Sequence, residues 1–256
     1  MEITSYQHVS MIDFPGMVAS VVFVPGCNYK CPSCHAKHII FGKEKINEEE
    51  IFSYIDSHRE WIDGVVLCGG EPTLQPLSEL EHFFRRVKSR KKLVKLDTNG
   101  SNPGVLEQLL GKKLIDYVAL DVKAPPELYN IVTGVKANLE DIQRSMKILF
   151  AEKQKRKDFD YELRTTVVPG YVGGVPRWLN VQEVGEIAKF IKETTGNKNE
   201  KYILQEFVAR DKVDGTMLDE RFTKQSLPEK YWQTPKTLLE DMKQEAVKYL
   251  PETVIR

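Results

Sequence analysis

The stretch Gly26-Cys27-Asn28-Tyr29-Lys30-Cys31-Pro32-Ser33-Cys34 directly follows Ala19–Val24, an apolar run typical of a buried β-strand. Its C-x3-C-x2-C spacing lets three thiolates converge on one centre from a single loop. Three thiolates would leave one iron of a four-iron cluster open to an outside ligand. Structural zinc with His35 or His38 as fourth ligand, a redox dithiol of Cys31 and Cys34, and chance clustering remain alternatives.

The rest of the chain repeats a strand–helix alternation around this first strand. Five more apolar runs predict strands buried on both faces, at 64–68, 93–97, 117–122, 161–168 and 202–208. Amphipathic patterns predict helices at 51–61, 77–87, 105–110, 139–150, 184–191 and from 234 to about 250. Asn180 and Glu183 are spaced as a capping box for the helix at 184–191. Six such units predict an α/β fold of parallel strands, either an open sheet or an incomplete barrel.

Composition narrows the class of protein. The 256 residues suit one domain spanning 1–256, with a core at about 15–208 and a C-terminal loop and helix at 209–256. Lys plus Arg equals Asp plus Glu at 37 each, which gives no support to a membrane-surface or nucleic-acid-binding protein. Since the sequence shows neither a signal peptide nor an apolar run of about 20 residues, we expect a cytoplasmic location.

A second motif, Gly69-Gly70-Glu71-Pro72-Thr73, lies between a predicted strand and a predicted helix. Glycines allow close backbone approach to a ligand, and Glu71 can accept a hydrogen bond from an ammonium group. The two motifs in this order resemble the radical S-adenosylmethionine (SAM) superfamily. The resemblance implies a partial (β/α)6 barrel and a [4Fe–4S] cluster on Cys27, Cys31 and Cys34. It also implies that SAM binds the open iron, with its amino group at Gly69, Gly70 and Glu71.

Further motifs follow the next predicted strands: Leu96-Asp97-Thr98-Asn99-Gly100, Asp121-Val122-Lys123, Tyr129-Asn130-Ile131-Val132-Thr133-Gly134 and, within the fifth strand, Arg164. Together with 10–16, they resemble the activating enzymes of glycyl radical enzymes. The likeness is greatest to anaerobic ribonucleoside-triphosphate reductase activating proteins. It places Asp97, Thr98, Asp121, Lys123 and Arg164 near SAM, with Lys123 at the SAM carboxylate. Oxygens of Asp97, Thr98 and Asp121 also suit a monovalent cation.

The resemblance implies an oxidoreductase that generates a glycyl radical on a partner enzyme, with flavodoxin or ferredoxin as reductant. The polar segment 210–232 is expected to line or gate the opening through which the partner enters. Ser33 and Ala36 depart from the activase pattern, and these departures leave the identity of the partner undecided. One alternative is a radical SAM enzyme acting on a small molecule or nucleoside, and another is a non-catalytic zinc protein.

Cys68 is predicted to be a small buried strand residue rather than a fourth cluster ligand.

Overall fold

A computed structural model describes residues 1–172, 175–211 and 219–256, without the side chains of 171–172. Its strands are β1 (Ser5–Ser10), β2 (Ala19–Val24), β3 (Gly64–Gly69), β4 (Leu93–Thr98), β5 (Tyr117–Asp121), β6 (Asp160–Val167), β7 (Pro169–Val172), β8 (Val175–Trp178), β9 (Tyr202–Glu206) and β10 (Val254–Ile255). Its helices are α1 (Lys37–Ile40), α2 (Glu48–Ser57), α3 (Leu77–Ser89), α4 (Pro103–Gly111), α5 (Tyr129–Thr133), α6 (Leu139–Lys155), α7 (Val181–Thr195) and α8 (Lys236–Ala246).

The six predicted strands form a continuous parallel sheet in chain order, β2-β3-β4-β5-β6-β9. Two strands that the sequence analysis missed extend it at the edges. Antiparallel β1 pairs with β2, and parallel β10 pairs with β9. The order is therefore linear, with β1 and β10 at the two edges, as in an incomplete barrel. The hairpin β7–β8 follows β6 directly, at the carboxyl end of the sheet.

The two faces of the sheet differ in polarity. One face carries Leu67, Leu96, Leu120 and Leu163, which pack with buried residues of the helices. The other face is apolar on β2 and β3, but charged side chains replace apolar ones on β4, β5 and β6, and Lys95 and Glu162 are buried there. This face is enclosed, as predicted, because Lys95, Tyr117 and Glu162 are buried on it, but it carries charged side chains as well as apolar ones. Paired charges occupy this face, at Lys95, Asp97, Asp121, Glu162 and Arg164.

The helices follow the predicted pattern with shifted ends. The capping box at Asn180 and Glu183 is confirmed, since each side chain bonds the other's backbone N–H. Helix α2 begins after Asn47, whose side chain accepts from the backbone N–H of Glu49, and ends at Ser57, four residues before the predicted end. Helix α8 likewise ends at Ala246 instead of about 250. None of the helices in the described ranges combines the length and apolar character needed to cross a bilayer.

Candidate functional site

The carboxyl ends of the central strands surround a cavity of about 350 Å³. Every residue that the sequence analysis assigned to the site lines it, namely Cys27, Cys31, Cys34, Gly69, Gly70, Glu71, Asp97, Thr98, Asp121, Lys123 and Arg164. The cavity also has apolar and aromatic walls that the sequence analysis did not assign, including Phe23, Tyr29, Val132, Val168 and Phe207. The fold thus brings the predicted residues together, while their individual roles stay predictions.

The cysteine loop is held in place mainly by backbone hydrogen bonds. The Gly26 N–H donates to the Ile40 carbonyl at 3.1 Å, and the Cys34 N–H donates to the Cys31 carbonyl at 3.0 Å. Two of the thiols accept backbone N–H groups at 3.4 Å, Cys27 from Tyr29 and Cys34 from Ala36. Such donors are one of the ways in which a protein sets the potential of an iron–sulfur cluster.

Burial disfavours the ionised form of two thiols of the cysteine loop. Burial raises the pKa of Cys27 and raises that of Cys31 to about 11, while the ammonium of Lys123 acts in the opposite direction on both. Thiolates are the form that binds metal, so a cationic centre is needed to hold these groups ionised at neutral pH. In the described part of the chain, no three Cys, His, Asp or Glu side chains are grouped as ligands of a single metal ion. The three thiols line one cavity, and three cysteine donors match the ligand chemistry of a [4Fe–4S] cluster with one iron left open.

Of the two histidines considered as a fourth zinc ligand, His35 lines the cavity and His38 does not. His38 is exposed on α1 and is not among the cavity residues. His35 lines the cavity, and its ring packs on Phe207 with the ring centres 5.2 Å apart. Burial lowers the pKa of His35 to about 4, so the ring is neutral at physiological pH.

Gly69, the last residue of β3, lies against the end of β2, and Gly70 lies against the start of the cysteine loop. A Cβ on Gly69, whose φ is +121°, would lie 2.5 Å from the backbone N and O of Val24, and one on Gly70 would lie 1.7 Å from the carbonyl oxygen of Gly26. Two hydrogen bonds stabilise the contact. The Gly70 N–H donates to the Val24 carbonyl at 2.9 Å, and the Glu71 N–H donates to the Gly26 carbonyl at 2.8 Å. Close backbone approach explains both glycines, and the approaching backbone is that of Val24 in β2 for Gly69 and of Gly26 in the cysteine loop for Gly70.

The carboxylate of Glu71 ties the loops after β3 and β4 together. It is buried, and it accepts hydrogen bonds from both the N–H and the hydroxyl of Thr73, the hydroxyl of Thr98 and the N–H of Asn99, at 2.6–3.0 Å. Burial raises the pKa of Glu71, and these donors counteract the rise. The Asn99 side chain continues the link, since its amide N–H donates to the side-chain Oδ1 of Asn28 at 3.0 Å.

Five alternating charges form a row on the inner face of the sheet, and all of them except Lys95 line the cavity. We call Lys95, Asp97, Arg164, Asp121 and Lys123 the charge row. Its contacts are Lys95–Asp97 at 3.2 Å, Arg164–Asp97 at 2.8 Å, Arg164–Asp121 at 3.0 Å and Lys123–Asp121 at 2.7 Å. Burial alone would raise the pKa of Asp121, but Arg164 and Lys123 outweigh it and lower the pKa to about 2. With three cations and two anions, the charge row has one surplus positive charge.

Cys68 differs from its prediction as a buried strand residue. It is half-buried and lines the cavity near the end of β3. The charges that act on its thiol are those of Asp97, Asp13, Lys95 and Arg164, whereas Lys123 acts on Cys27 and Cys31. Cys68 therefore lies towards the Lys95 end of the charge row, and burial holds its pKa well above the usual value.

The motif at 129–134 contacts the cysteine loop at Lys30, whereas the loop after β3 contacts it at Gly26. Gly134 ends α5 in the left-handed conformation, with φ +68°, and an added Cβ would lie 2.3 Å from the Lys30 carbonyl oxygen. The Lys30 N–H donates to the Thr133 carbonyl at 2.9 Å, and the buried Thr133 hydroxyl donates to the Tyr129 carbonyl at 2.7 Å. The sequence signals this contact only through a glycine at the end of a short helix.

A second cavity of about 140 Å³ adjoins the first, since Ser33, Val132 and Val168 line both. Arg221 and Phe222, from the segment predicted to gate the opening, also line it. Residues 212–218 of that segment lie outside the described residues. Gating by 210–232 stays a prediction.

Comparison with known proteins agrees with this geometry. A family model described as the radical SAM superfamily matches residues 21–191. A Methanocaldococcus jannaschii protein, provisionally named a glycyl-radical enzyme activating enzyme, is 34% identical over 249 residues, or 97% of this chain and 92% of the relative.

Solved structures share the fold at low identity. Streptococcus suis SuiB, bound to precursor peptide SuiA, gives a TM-score of 0.55 at 14% identity and covers 78% of this chain and 41% of that one. Escherichia coli coproporphyrinogen III oxidase (HemN), described as a radical SAM enzyme, gives 0.54 at 13% identity, with coverage of 94% and 54%. The chain thus spans about half of each structure. These likenesses confirm the predicted α/β partial barrel, and together with the family model and the M. jannaschii relative they lead to one assignment: the chain belongs to the radical SAM superfamily and to the family of glycyl-radical enzyme activating enzymes.

Proposed function

We propose that this protein cleaves SAM reductively and uses the product radical to activate a glycyl radical enzyme, of the anaerobic ribonucleotide reductase type. The observation that carries the proposal is the shared cavity of the three cysteines, the Gly69–Glu71 loop and the charge row. The 34% identical relative supports the activase assignment. Membership of the radical SAM superfamily favours a cluster over the zinc alternative.

In this proposal Cys27, Cys31 and Cys34 hold a [4Fe–4S] cluster and leave one iron for SAM. When bound, such a cluster supplies the electron that splits SAM into methionine and a 5′-deoxyadenosyl radical. The protein's own part is to bind, orient and shield. Phe23, Val132 and Phe207 give the cavity apolar walls that keep water from the reacting centre.

In this proposal the polar residues of the cavity bind the two charged groups on the α-carbon of the methionine part of SAM. Lys123 lines the cavity and contacts one oxygen of Asp121 at 2.7 Å, so its ammonium is the cation at the cavity end of the charge row. Lys123 thus meets the SAM carboxylate, while Gly69, Gly70 and Glu71 meet the amino group. Arg164 keeps Asp97 and Asp121 in fixed positions beside the cavity. Thr98 belongs to the same wall through its bond to Glu71.

The partner would supply a backbone glycine, whose Cα–H hydrogen atom passes to C5′ and leaves a glycyl radical and 5′-deoxyadenosine. The second cavity, between the cysteine loop, α5 and the 220–222 turn, supports entry of a polypeptide from that side. We further propose that flavodoxin or ferredoxin is the reductant and that the protein works in the cytoplasm.

The test is activation of a candidate anaerobic ribonucleotide reductase. The reconstituted protein, SAM, a chemical reductant and the partner are mixed without oxygen, and EPR spectra are recorded. We expect a glycyl doublet that is absent when Cys31→Ala replaces the wild type or when the partner's radical glycine is changed to Ala. Formation of 5′-deoxyadenosine with no doublet for any glycyl radical enzyme tested would favour a small-molecule or nucleoside substrate instead.

A further inference from the structure

The second cavity has the size and the lining of a pocket for one apolar side chain. Its volume is about 140 Å³, and apolar cavities of about 150 Å³ accept a single benzene ring. Among its described lining residues, Ser33 and Arg221 carry polar side chains, and the guanidinium of Arg221 is paired with Asp219 at 2.6 Å. The others are Gly170 and a set of apolar residues, namely Pro32, Ile131, Val132, Val168, Pro169 and Phe222. The lining therefore favours an apolar group over a charged one.

The second cavity is continuous with the cavity of the three cysteines. Ser33, Val132 and Val168 line both, and Ser33 directly precedes Cys34. Ile131 lines the second cavity but not the first, and it is 44% exposed. The second cavity thus lies between the surface and the reacting centre, and a polypeptide that approaches from this side passes it.

We propose that the second cavity is a subsite for one apolar side chain of the partner, up to the size of a phenylalanine ring, on a residue next to the radical glycine. The inference rests on the proposed function, because it names the part of the partner that this site recognises. Consecutive Cα atoms are about 3.8 Å apart, so a glycine in the first cavity has its neighbours within a side chain's reach of the second. Burial of such a side chain holds the glycine at the reacting centre.

The adenosine of SAM fits the second cavity less well than an apolar side chain does. Adenosine carries ring nitrogens and hydroxyls that need hydrogen-bond partners when they are buried. Pro32 and Pro169 have no backbone N–H to donate to them. The polar groups assigned to SAM, such as Glu71 and Lys123, line the first cavity and are not among the described residues that line the second.

Gly170 allows the second cavity to be changed without the first. It lines the second cavity only, and an added Cβ would meet nothing within 4 Å among the described residues. Gly170→Leu should therefore fold unhindered and take up space that the partner's side chain needs. Gly111→Leu is the matched control, because Gly111 is exposed on α4 and its added Cβ is equally unobstructed by the described residues.

The test measures two activities of the reconstituted protein. One is SAM cleavage without partner, followed as 5′-deoxyadenosine, and the other is the glycyl doublet formed on a candidate anaerobic ribonucleotide reductase, followed by EPR. For Gly170→Leu we expect cleavage within about twofold of the wild type, but a doublet that forms about 10- to 100-fold more slowly at limiting partner concentration. This factor is the contribution of one buried apolar side chain. Gly111→Leu should match the wild type in both activities.

Changes in the partner identify the side chain that is bound. Each residue next to the radical glycine is replaced by Ala in turn, and one of these variants should slow doublet formation by the wild-type protein about as much as Gly170→Leu does. The same variant combined with Gly170→Leu should add little, since both changes remove one contact. Fully additive effects would contradict a shared contact.

Doublet formation by Gly170→Leu at the wild-type rate would overturn the inference. Equal loss of both activities, with iron content and thermal unfolding unchanged, would also overturn it, because the second cavity would then belong to SAM. If Gly170→Leu fails to fold, the Ala variants of the partner decide with the wild-type protein, and no effect from either would overturn the inference. Absence of a doublet with the wild type would instead overturn the proposed function, and the inference with it.

Discussion

Gly70 packs so closely on Gly26 that an added Cβ would lie 1.7 Å from the Gly26 carbonyl oxygen. The contact joins the loop after β3 to the start of the cysteine loop, and the hydrogen bond from Glu71 N–H to the same oxygen closes it. The G-G-E-P motif therefore shapes the cysteine loop directly, in addition to any contact with SAM.

Gly70→Ala should disrupt this junction, since the obstacle is backbone and cannot rotate away. We expect a loss of about 2 kcal/mol or more in the free energy of unfolding, together with a lower iron content after reconstitution. Denaturant unfolding and iron analysis measure both effects. Gly104→Ala is the matched control, since the described residues leave its added Cβ with no neighbour within 4 Å. Equal stability of the two variants would contradict the close packing of Gly70 on the backbone of Gly26.

A comparison of two other glycines measures how much the contact between the end of α5 and the cysteine loop contributes to stability. Gly134 and Gly196 both end helices in the left-handed conformation, with φ of +68° and +70°. A Cβ on Gly134 would meet the Lys30 carbonyl, whereas one on Gly196 would meet nothing within 4 Å among the described residues. Gly196→Ala should cost about 1 kcal/mol, from backbone strain alone. Gly134→Ala should cost more and should also reduce iron incorporation, as unfolding and iron measurements would show; equal effects would contradict the contact.

The four cysteines should separate into two classes. Cys27→Ala, Cys31→Ala and Cys34→Ala should each abolish the visible absorption and EPR signal of the reconstituted cluster. Cys68→Ala should retain about four irons per chain, because Cys68 lies towards the Lys95 end of the charge row. Loss of the cluster in Cys68→Ala would make Cys68 a fourth ligand and would leave SAM without an open iron.

Low pH should reduce the stability of the folded protein, because Asp121 becomes protonated and loses its ion pairs. Its pKa in the folded protein is about 2, below the ordinary value of 3.8, so its ion pairs stabilise the fold above about pH 4 and are lost as the pH falls from about 4 to 2. We expect wild type and Asp121→Asn, both before iron is added, to differ by a constant free energy of unfolding at pH 5–7. The difference should shrink by about 2 kcal/mol at lower pH. A difference that does not vary with pH would contradict the depressed pKa.

The parallel core of the fold was predictable because its strands are local apolar runs. All six predicted strands are present, and their order along the chain is their order in the sheet. The missed strands lack that signal: Ser5–Ser10 is largely polar and exposed, and Val254–Ile255 has two residues. Such strands form because a neighbouring edge offers hydrogen bonds, which is a property of the tertiary structure.

The composition of the site was predictable, but its bonding was not. Motif residues at the strand ends marked the cavity, since parallel strands present their carboxyl ends at one edge. Burial of Lys95 depends on the backbone carbonyl of Asp13, 82 residues away, and two of the four hydrogen bonds of Glu71 come from Thr98 and Asn99, 27 and 28 residues away. A lysine within a strand carries no sign of such partners.

The central claim is that three cysteines hold a cluster with one iron left for SAM. The most direct measurement is the EPR spectrum of the reduced, reconstituted protein before and after SAM is added, with 5′-deoxyadenosine quantified in the same sample. A spectrum that changes with SAM, accompanied by 5′-deoxyadenosine, is the predicted result. A spectrum indifferent to SAM, with no SAM cleavage, would contradict the account.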